Sequence, residues 1–181
     1  MTQHPELSSA SPWVARFAPL IPAGGEVLDL ACGGGRHTRL LAGLGYRVEA
    51  VDRETGGLDD LARTAGVTVR TADLEGGPWP YGGRRFAGVV ATNYLHRPRL
   101  ADLLAVLADP GVLIYETFML GNERYGRPAS PEFLLRPQEL LQVAAAAGLR
   151  VLAFEEGYVD RPKPALVQRL CAARGEVTAR L

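Results

Sequence analysis

The chain has 181 residues, 47% of them hydrophobic, and its 20 Lys plus Arg are balanced by 20 Asp plus Glu. That length suits one domain with a substantial core, and the charge balance removes any overall bias towards nucleic acid or anionic membranes. Cys32 and Cys171 fit no metal-ligand spacing and do not suggest a disulfide scaffold, so no metal site is expected.

Met1 to Ser11 is polar and lacks the hydrophobic core of a signal peptide, and no apolar run approaches bilayer-spanning length. The expectation is one soluble, cytoplasmic domain over residues 1–181, with residues 1–24 as a helical lead-in, acting as a monomer or homodimer. Trp13, Val14, Phe17 and Leu20 recur at near-helical spacing and predict a short helix over Pro12 to Leu20. Val27 to Ala31 reads as strand one, and a helix from Arg36 to Leu44 follows, stopped by Gly45. Tyr46 to Val51 is strand two, Leu58 to Ala65 a short helix, and Val67 to Thr71 strand three. After the turn-rich Gly76 to Gly83, Phe86 to Ala91 is strand four. A helix over Leu100 to Leu107 ends at Asp109-Pro-Gly111, and Val112 to Tyr115 begins strand five. Gly121 to Pro131 is a polar loop, and Arg136 to Ala147 a helix. Leu149 to Phe154 and Ala165 to Ala172 are the last strands.

Five strands alternating with helices predict a doubly wound α/β fold. The last two strands are joined by too short a segment for a parallel crossover, so they form a hairpin. The expected fold is a mostly parallel seven-stranded sheet, helices on both faces, with a C-terminal antiparallel hairpin strand.

The chemistry concentrates in Asp29-Leu-Ala-Cys-Gly-Gly-Gly35, where a strand runs into three glycines. Glycines permit a sharp turn and a close backbone approach to a ligand. Asp52, at the end of strand two, can accept from two ribose hydroxyls. Gly33-x-Gly35-x-x-Thr38 nearly matches a dinucleotide fingerprint, but Thr38 stands where the third glycine should be. Asp29 discriminates better. A carboxylate inside a parallel strand is costly unless partnered, and a cationic amino group suits it where a pyrophosphate does not.

On these residues the chain resembles the class I S-adenosylmethionine-dependent methyltransferases over nearly its whole length. The resemblance implies S-adenosyl-L-methionine as cofactor. It implies that Asp29 and the backbone of Ala31, Cys32, Gly33 and Gly35 hold the methionine part, with Asn93 nearby. It also implies that Asp52, beside Arg53, holds the ribose, and that Asp73 and Leu74 hold the adenine. Ala31 replaces the family's usual first glycine. Simpler roles compete: Asp52 as a helix N-cap, Asp73 and Asn93 as turn residues, and Cys32 as a small packed side chain.

For the methyl acceptor, two segments lie beyond the strand ends. They gather Tyr94, His96, Arg97, Arg124, Tyr125 and Arg127 as candidates for acceptor binding or for a base. His96 could take a proton near neutral pH, and the arginines could orient a carboxylate or other oxyanion. The competing reading makes the arginines surface ion pairs and His96 a loop cap. Asn93-Tyr-Leu-His-Arg-Pro98 and Gly121-Asn-Glu-Arg-Tyr-Gly-Arg-Pro128 resemble, more loosely, a branch of small bacterial methyltransferases related to tellurite-resistance enzymes. The expected activity is therefore methyl transfer to a small molecule, with no nucleic-acid or membrane partner. The alternatives are an NAD(P)-dependent oxidoreductase and a non-catalytic S-adenosylmethionine-binding module. Asp29, Thr38 and the terminal hairpin disfavour the oxidoreductase.

Overall fold

The computed structural model describes residues 9–179; the first eight residues of the expected lead-in lie outside it. Seven strands form one sheet in the order β3-β2-β1-β4-β5-β7-β6. They are β1 (Glu26–Leu30), β2 (Arg47–Asp52), β3 (Val67–Thr71), β4 (Phe86–Thr92), β5 (Leu107–Phe118), β6 (Arg150–Val159) and β7 (Ala165–Arg174). The first five run parallel, and β7 is antiparallel to both of its neighbours. The hairpin is thus folded inward, with β7 inserted beside β5 and β6 left at the edge.

Side-chain alternation explains the layers. Along β1 and β4, Leu28, Leu30, Val89 and Ala91 join one core with Leu103, Leu140 and Ala144. Those three come from the helices α4 (Leu100–Ala105) and α5 (Glu139–Ala146). Val27, Val48 and Val90 face the other way, onto Trp13, Val14, Phe17 and Leu41. These belong to α1 (Pro12–Phe17) and α2 (Arg36–Gly43). Successive strand residues point to opposite faces, so the sheet is covered on both.

Three elements differ from expectation. The helix expected over Leu58 to Ala65 is the single turn α3 (Asp59–Ala62). Only Leu58 and Leu61 are buried there, and one apolar pair supports no more than a turn. Asp109-Pro-Gly111 does not separate α4 from β5 but lies within β5. The strand pairs Phe86 with Leu107 and then Gly88 with Val112, so residues 108–111 form a bulge; a bulge is where proline is tolerated in a sheet. β6 continues past Phe154 through Glu155 and Glu156, both exposed. An edge strand can carry such charges without burying them.

Candidate active site

The parallel strands all end on one side of the sheet, where open α/β sheets hold their ligands. Beside a cleft of about 590 Å³ along Gly33, Gly34 and Asp52, two further cavities open there. One, of about 410 Å³, is lined by Ala31 after β1, Asp52 and Arg53 at the end of β2, and Asp73 and Leu74 after β3. Asn93 and Tyr94 after β4, with Phe133 from a later loop, complete its wall. The other, of about 220 Å³, lies across β5 and β7 and shares Asn93 with the first.

Backbone conformation shapes the first cavity. Ala31 has φ of +54°, Gly33 +52° and Gly35 +75°. The left-handed region costs a non-glycine residue roughly 1–2 kcal/mol, which is the physical reason a glycine suits position 31. Gly35 is also closed in by its neighbours: a Cβ there would stand 2.2 Å from Leu61 Cδ1. The turn places the Gly33 N–H on Asp52 Oδ2 at 2.9 Å, while Asp52 Oδ1 accepts from the Glu54 N–H at 3.1 Å. The next helix after Asp52 begins only at Asp59, so Asp52 is not a helix cap. An ionised carboxylate has about four acceptor positions, and two bonds leave room for a diol.

Asp29 lies behind this wall, 1% exposed. The Thr38 hydroxyl donates to its Oδ2 at 2.6 Å, so the residue that breaks the dinucleotide fingerprint is a partner of the buried carboxylate. Burial pushes the Asp29 carboxyl up to about 6, even though the Thr38 hydrogen bonds and Arg36 pull it down. Cys32 is buried, and burial together with the charges of Asp29 and Asp52 pushes its thiol up to about 12. It is a packed side chain rather than a nucleophile.

Asp73 Oδ1 accepts from the N–H groups of Glu75 and Gly76, both at 3.0 Å, and these hold its carboxyl below the ordinary range. This is the turn role, yet it involves one oxygen and leaves Oδ2 with no hydrogen bond among the described residues. Arg99 braces the same turn from behind. Its Nε donates to the Leu74 carbonyl at 3.1 Å and its Nη2 to the Gly77 carbonyl at 2.6 Å, while Asp102 pairs with Nη1. Asn93 adopts φ of +54° and donates its N–H to the Glu116 carbonyl at 2.9 Å.

The polar candidates after β4 and β5 separate. Tyr94 lines the first cavity, on the side of Asp52 and Asp73. Its hydroxyl is buried without a partner among the described residues, and burial, with the nearby charge of Glu75, raises it to about 12. His96 is half-buried and lines neither cavity; its carbonyl accepts from the Arg99 N–H. Arg97 is committed to structure. Nε and Nη2 each reach Glu139 at 2.8 Å, Nη1 donates to the Glu132 carbonyl and Nη2 to the Leu134 carbonyl. Burial alone would raise Glu139, but Arg97 and Arg136 bring its carboxyl down to about 2.

Arg124, Tyr125 and Arg127 are exposed and line neither cavity. Arg124 Nε reaches only the Gly121 carbonyl at 3.3 Å, and the Tyr125 ring packs on Tyr158. The loop is held by buried Asn122, which donates to the Pro128 carbonyl and accepts from the Leu166 N–H. Bracing this loop is therefore what the Gly121–Pro128 stretch visibly does.

The second cavity gathers residues that sequence reasoning did not bring together. Ser9 to Pro12, Arg36, Glu116, Phe118, Arg161, Lys163 and Arg169 line it. Buried His37 fixes the first of these. Its Nε2 accepts from the Ser11 N–H at 3.0 Å and its Nδ1 lies 3.3 Å from Thr92 Oγ1. Burial, helped by Arg36, lowers the ring to about 3, so it is neutral near pH 7 with the proton on Nδ1. Thr38 and His37 could have been singled out from their place beside the glycine turn. Arg161, Lys163 and Arg169 carry no local signal, since only the inward-folded hairpin brings them to the site.

Residues 27–110 match the family described as a methyltransferase domain. No curated protein matches the sequence at a significant level. Among solved structures, TehB from Haemophilus influenzae superposes with a TM-score of 0.71 at 17% identity, over 88% of this chain and 61% of that one. This chain thus spans about three fifths of that relative's length. A 1,6-didemethyltoxoflavin-N1-methyltransferase from Burkholderia thailandensis, solved with its substrate and S-adenosylhomocysteine, gives 0.70 at 22% identity, over 95% and 80%. The glycopeptide N-methyltransferase MtfA, complexed with S-adenosylhomocysteine, gives 0.63 at 19%, over 90% and 89%. At these identities the likeness is one of fold.

Proposed function

We propose that this chain, which has the class I S-adenosylmethionine-dependent methyltransferase fold and a methyltransferase-domain match, transfers the methyl group of S-adenosylmethionine to a small-molecule acceptor. The carrying observation is that the two cavities share Asn93 at the strand ends. A cofactor in one and an acceptor in the other would meet there.

The residues around the larger cavity fit the cofactor. Asp52 has acceptor positions left for two ribose hydroxyls, and Asp73 keeps Oδ2 for an exocyclic amino group. Leu74 gives an apolar side, and the Tyr94 hydroxyl, buried without a partner, is a polar group in want of one. Asp29 sits below the Ala31–Gly35 turn as a counter-charge for an amino group, acting through the turn. The cofactor supplies a methyl group on an already activated sulfonium. What remains for the protein is to align the acceptor and exclude water.

The acceptor reading follows from the second cavity, whose volume of about 220 Å³ suits a small molecule rather than a polymer. Tyr94 moves to the cofactor side in this account. Arg97, Arg124, Tyr125 and Arg127 drop out as acceptor ligands, and His96 drops out as the base. The looser likeness to the tellurite-resistance branch supports a small acceptor without naming it. No helix among the described residues is long and apolar enough to cross a membrane. A cytoplasmic location suits a cofactor that is made inside cells.

Asp52→Ala tests the cofactor half. Calorimetric titration with S-adenosylhomocysteine should show at least about a hundredfold weaker binding, because two charge-assisted hydrogen bonds are lost. Unchanged affinity would remove Asp52 from the site.

A further inference from the structure

We propose that the methyl acceptor is a small organic anion with an apolar body and a protic nucleophile. Arg161 and Lys163 hold its anionic group, and Glu116 faces the nucleophile. This rests on reading the smaller cavity as the acceptor site.

Charge carries the argument. Four cationic side chains, Arg36, Arg161, Lys163 and Arg169, line the cavity, and Glu116 is its one acidic lining residue. That imbalance stands out in a chain whose charges cancel. Arg169 is already engaged: its Nε meets Glu116 Oε2 at 2.5 Å and its Nη1 meets Glu155 at 3.5 Å. Among the described residues, Arg36, Arg161 and Lys163 form no ion pair. Arg36 instead donates to the Ser9 carbonyl at 3.3 Å. Cations gathered around a concave, partly apolar space raise the local potential and favour an anion there.

The remaining wall defines the body of the ligand. Pro12, Phe118, Val159, Ala165 and Val167 are apolar, and Lys163 Nζ lies 5.7 Å from the centre of the Phe118 ring. Lys163, itself exposed, thus stands at the rim of an apolar surface with its charge reaching over it. A ligand with a flat or branched hydrocarbon body and one anionic end matches this wall better than a bare inorganic ion.

Position assigns Glu116. It pairs with Thr92 across β4 and β5, and its carbonyl accepts the N–H of Asn93, the residue shared by the two cavities. Its side chain is 10% exposed, with Oε2 taken by Arg169, which leaves Oε1 for another partner. In the reaction an X–C bond forms between the acceptor's O, S or N and the methyl carbon. The C–S bond breaks with its electron pair returning to sulfur, and the proton on X passes to the Glu116 carboxylate.

The test uses the full chain saturated with S-adenosylhomocysteine. Salicylate, 4-hydroxybenzoate and 3-mercaptopropionate are titrated calorimetrically, each against its primary amide. At least one acid should bind, about tenfold or more tighter than its amide. Replacing Arg161 and Lys163 together by Gln should weaken that acid about tenfold or more, with S-adenosylhomocysteine affinity and melting temperature unchanged. Glu116→Gln should keep the acid but slow its methylation about tenfold or more, and Glu116→Asp should recover part of the rate. Amides that bind as well as acids, acids that bind the double variant normally, or no binding by any acid would overturn the proposal. Failure of S-adenosylhomocysteine itself to bind would instead overturn the cofactor reading beneath it.

Discussion

The two cavities are built by different means. The larger is a backbone structure: left-handed residues at Ala31, Gly33 and Asn93 turn the chain after β1 and β4, and Asp52 is fixed by the N–H groups of Gly33 and Glu54. The smaller is a side-chain structure, assembled from the lead-in segment, the end of β5 and the β6–β7 hairpin. A backbone-built site is set by the fold and suits a ligand common to many relatives. A side-chain-built site can change its chemistry by substitution without disturbing the sheet, as function grafted on a shared fold requires.

Breaking the backbone-built side should do the most damage. Gly35→Ala forces a left-handed φ on a residue with a Cβ and drives that Cβ into Leu61. We expect a loss of about 3–4 kcal/mol in urea unfolding, from the φ penalty plus overpacking. A loss below about 1 kcal/mol would mean the turn relaxes easily and is not a rigid frame.

Asp29 gives an effect nearly as large, and one that depends on pH. Its folded carboxyl titrates at about 6 against an ordinary 3.8, so the folded protein holds this proton more tightly than the unfolded chain does. The associated stability is present below about pH 4 and is lost as the pH rises through about 6. At 1.36 kcal/mol per pH unit the difference is on the order of 3 kcal/mol. Stability profiles of the protein and of Asp29→Asn should therefore diverge between about pH 4 and pH 6, the variant gaining on the parent. The variant should also bind S-adenosylhomocysteine more weakly. Parallel profiles would mean that Asp29 ionises freely and is not the strained, partner-seeking carboxylate described above.

The smallest of these effects sharpens the contrast on the acceptor side. Arg97→Met leaves the buried Glu139 carboxylate with Arg136 as its remaining cationic partner. It should cost about 2 kcal/mol of stability, without altering S-adenosylhomocysteine affinity. Weaker binding at unchanged stability would return Arg97 to the binding site.

The same contrast explains what the sequence made legible. The alternation of strands and helices, the hairpin, and the grouping of Ala31, Asp52, Asp73, Leu74 and Asn93 could be read because each of these residues follows a strand end, and strand ends show as apolar runs stopped by glycine or aspartate. Arg97 and Arg127 looked like ligands because basic residues near a strand end carry the same local signal whether they meet a substrate or a buried Glu139. Arg161 and Lys163 were invisible for the opposite reason: they lie beyond the last helix, and only the insertion of β7 beside β5 brings them to the cavity. The bulge at residues 108–111 was missed because Asp-Pro-Gly is a stop signal in isolation, and only pairing along both flanks of β5 carries a strand through it.

The central claim is that the backbone-built cavity holds an adenosyl sulfonium cofactor. Thermal unfolding with S-adenosylhomocysteine and with NAD, side by side, tests it most directly. A ligand at a hundred times its dissociation constant adds about 2.7 kcal/mol, which for a domain of this size is a rise of roughly 5–10 °C. That rise is expected with S-adenosylhomocysteine and none with NAD. A rise with NAD alone would contradict it and make Asp29 and Thr38 features of a dinucleotide site.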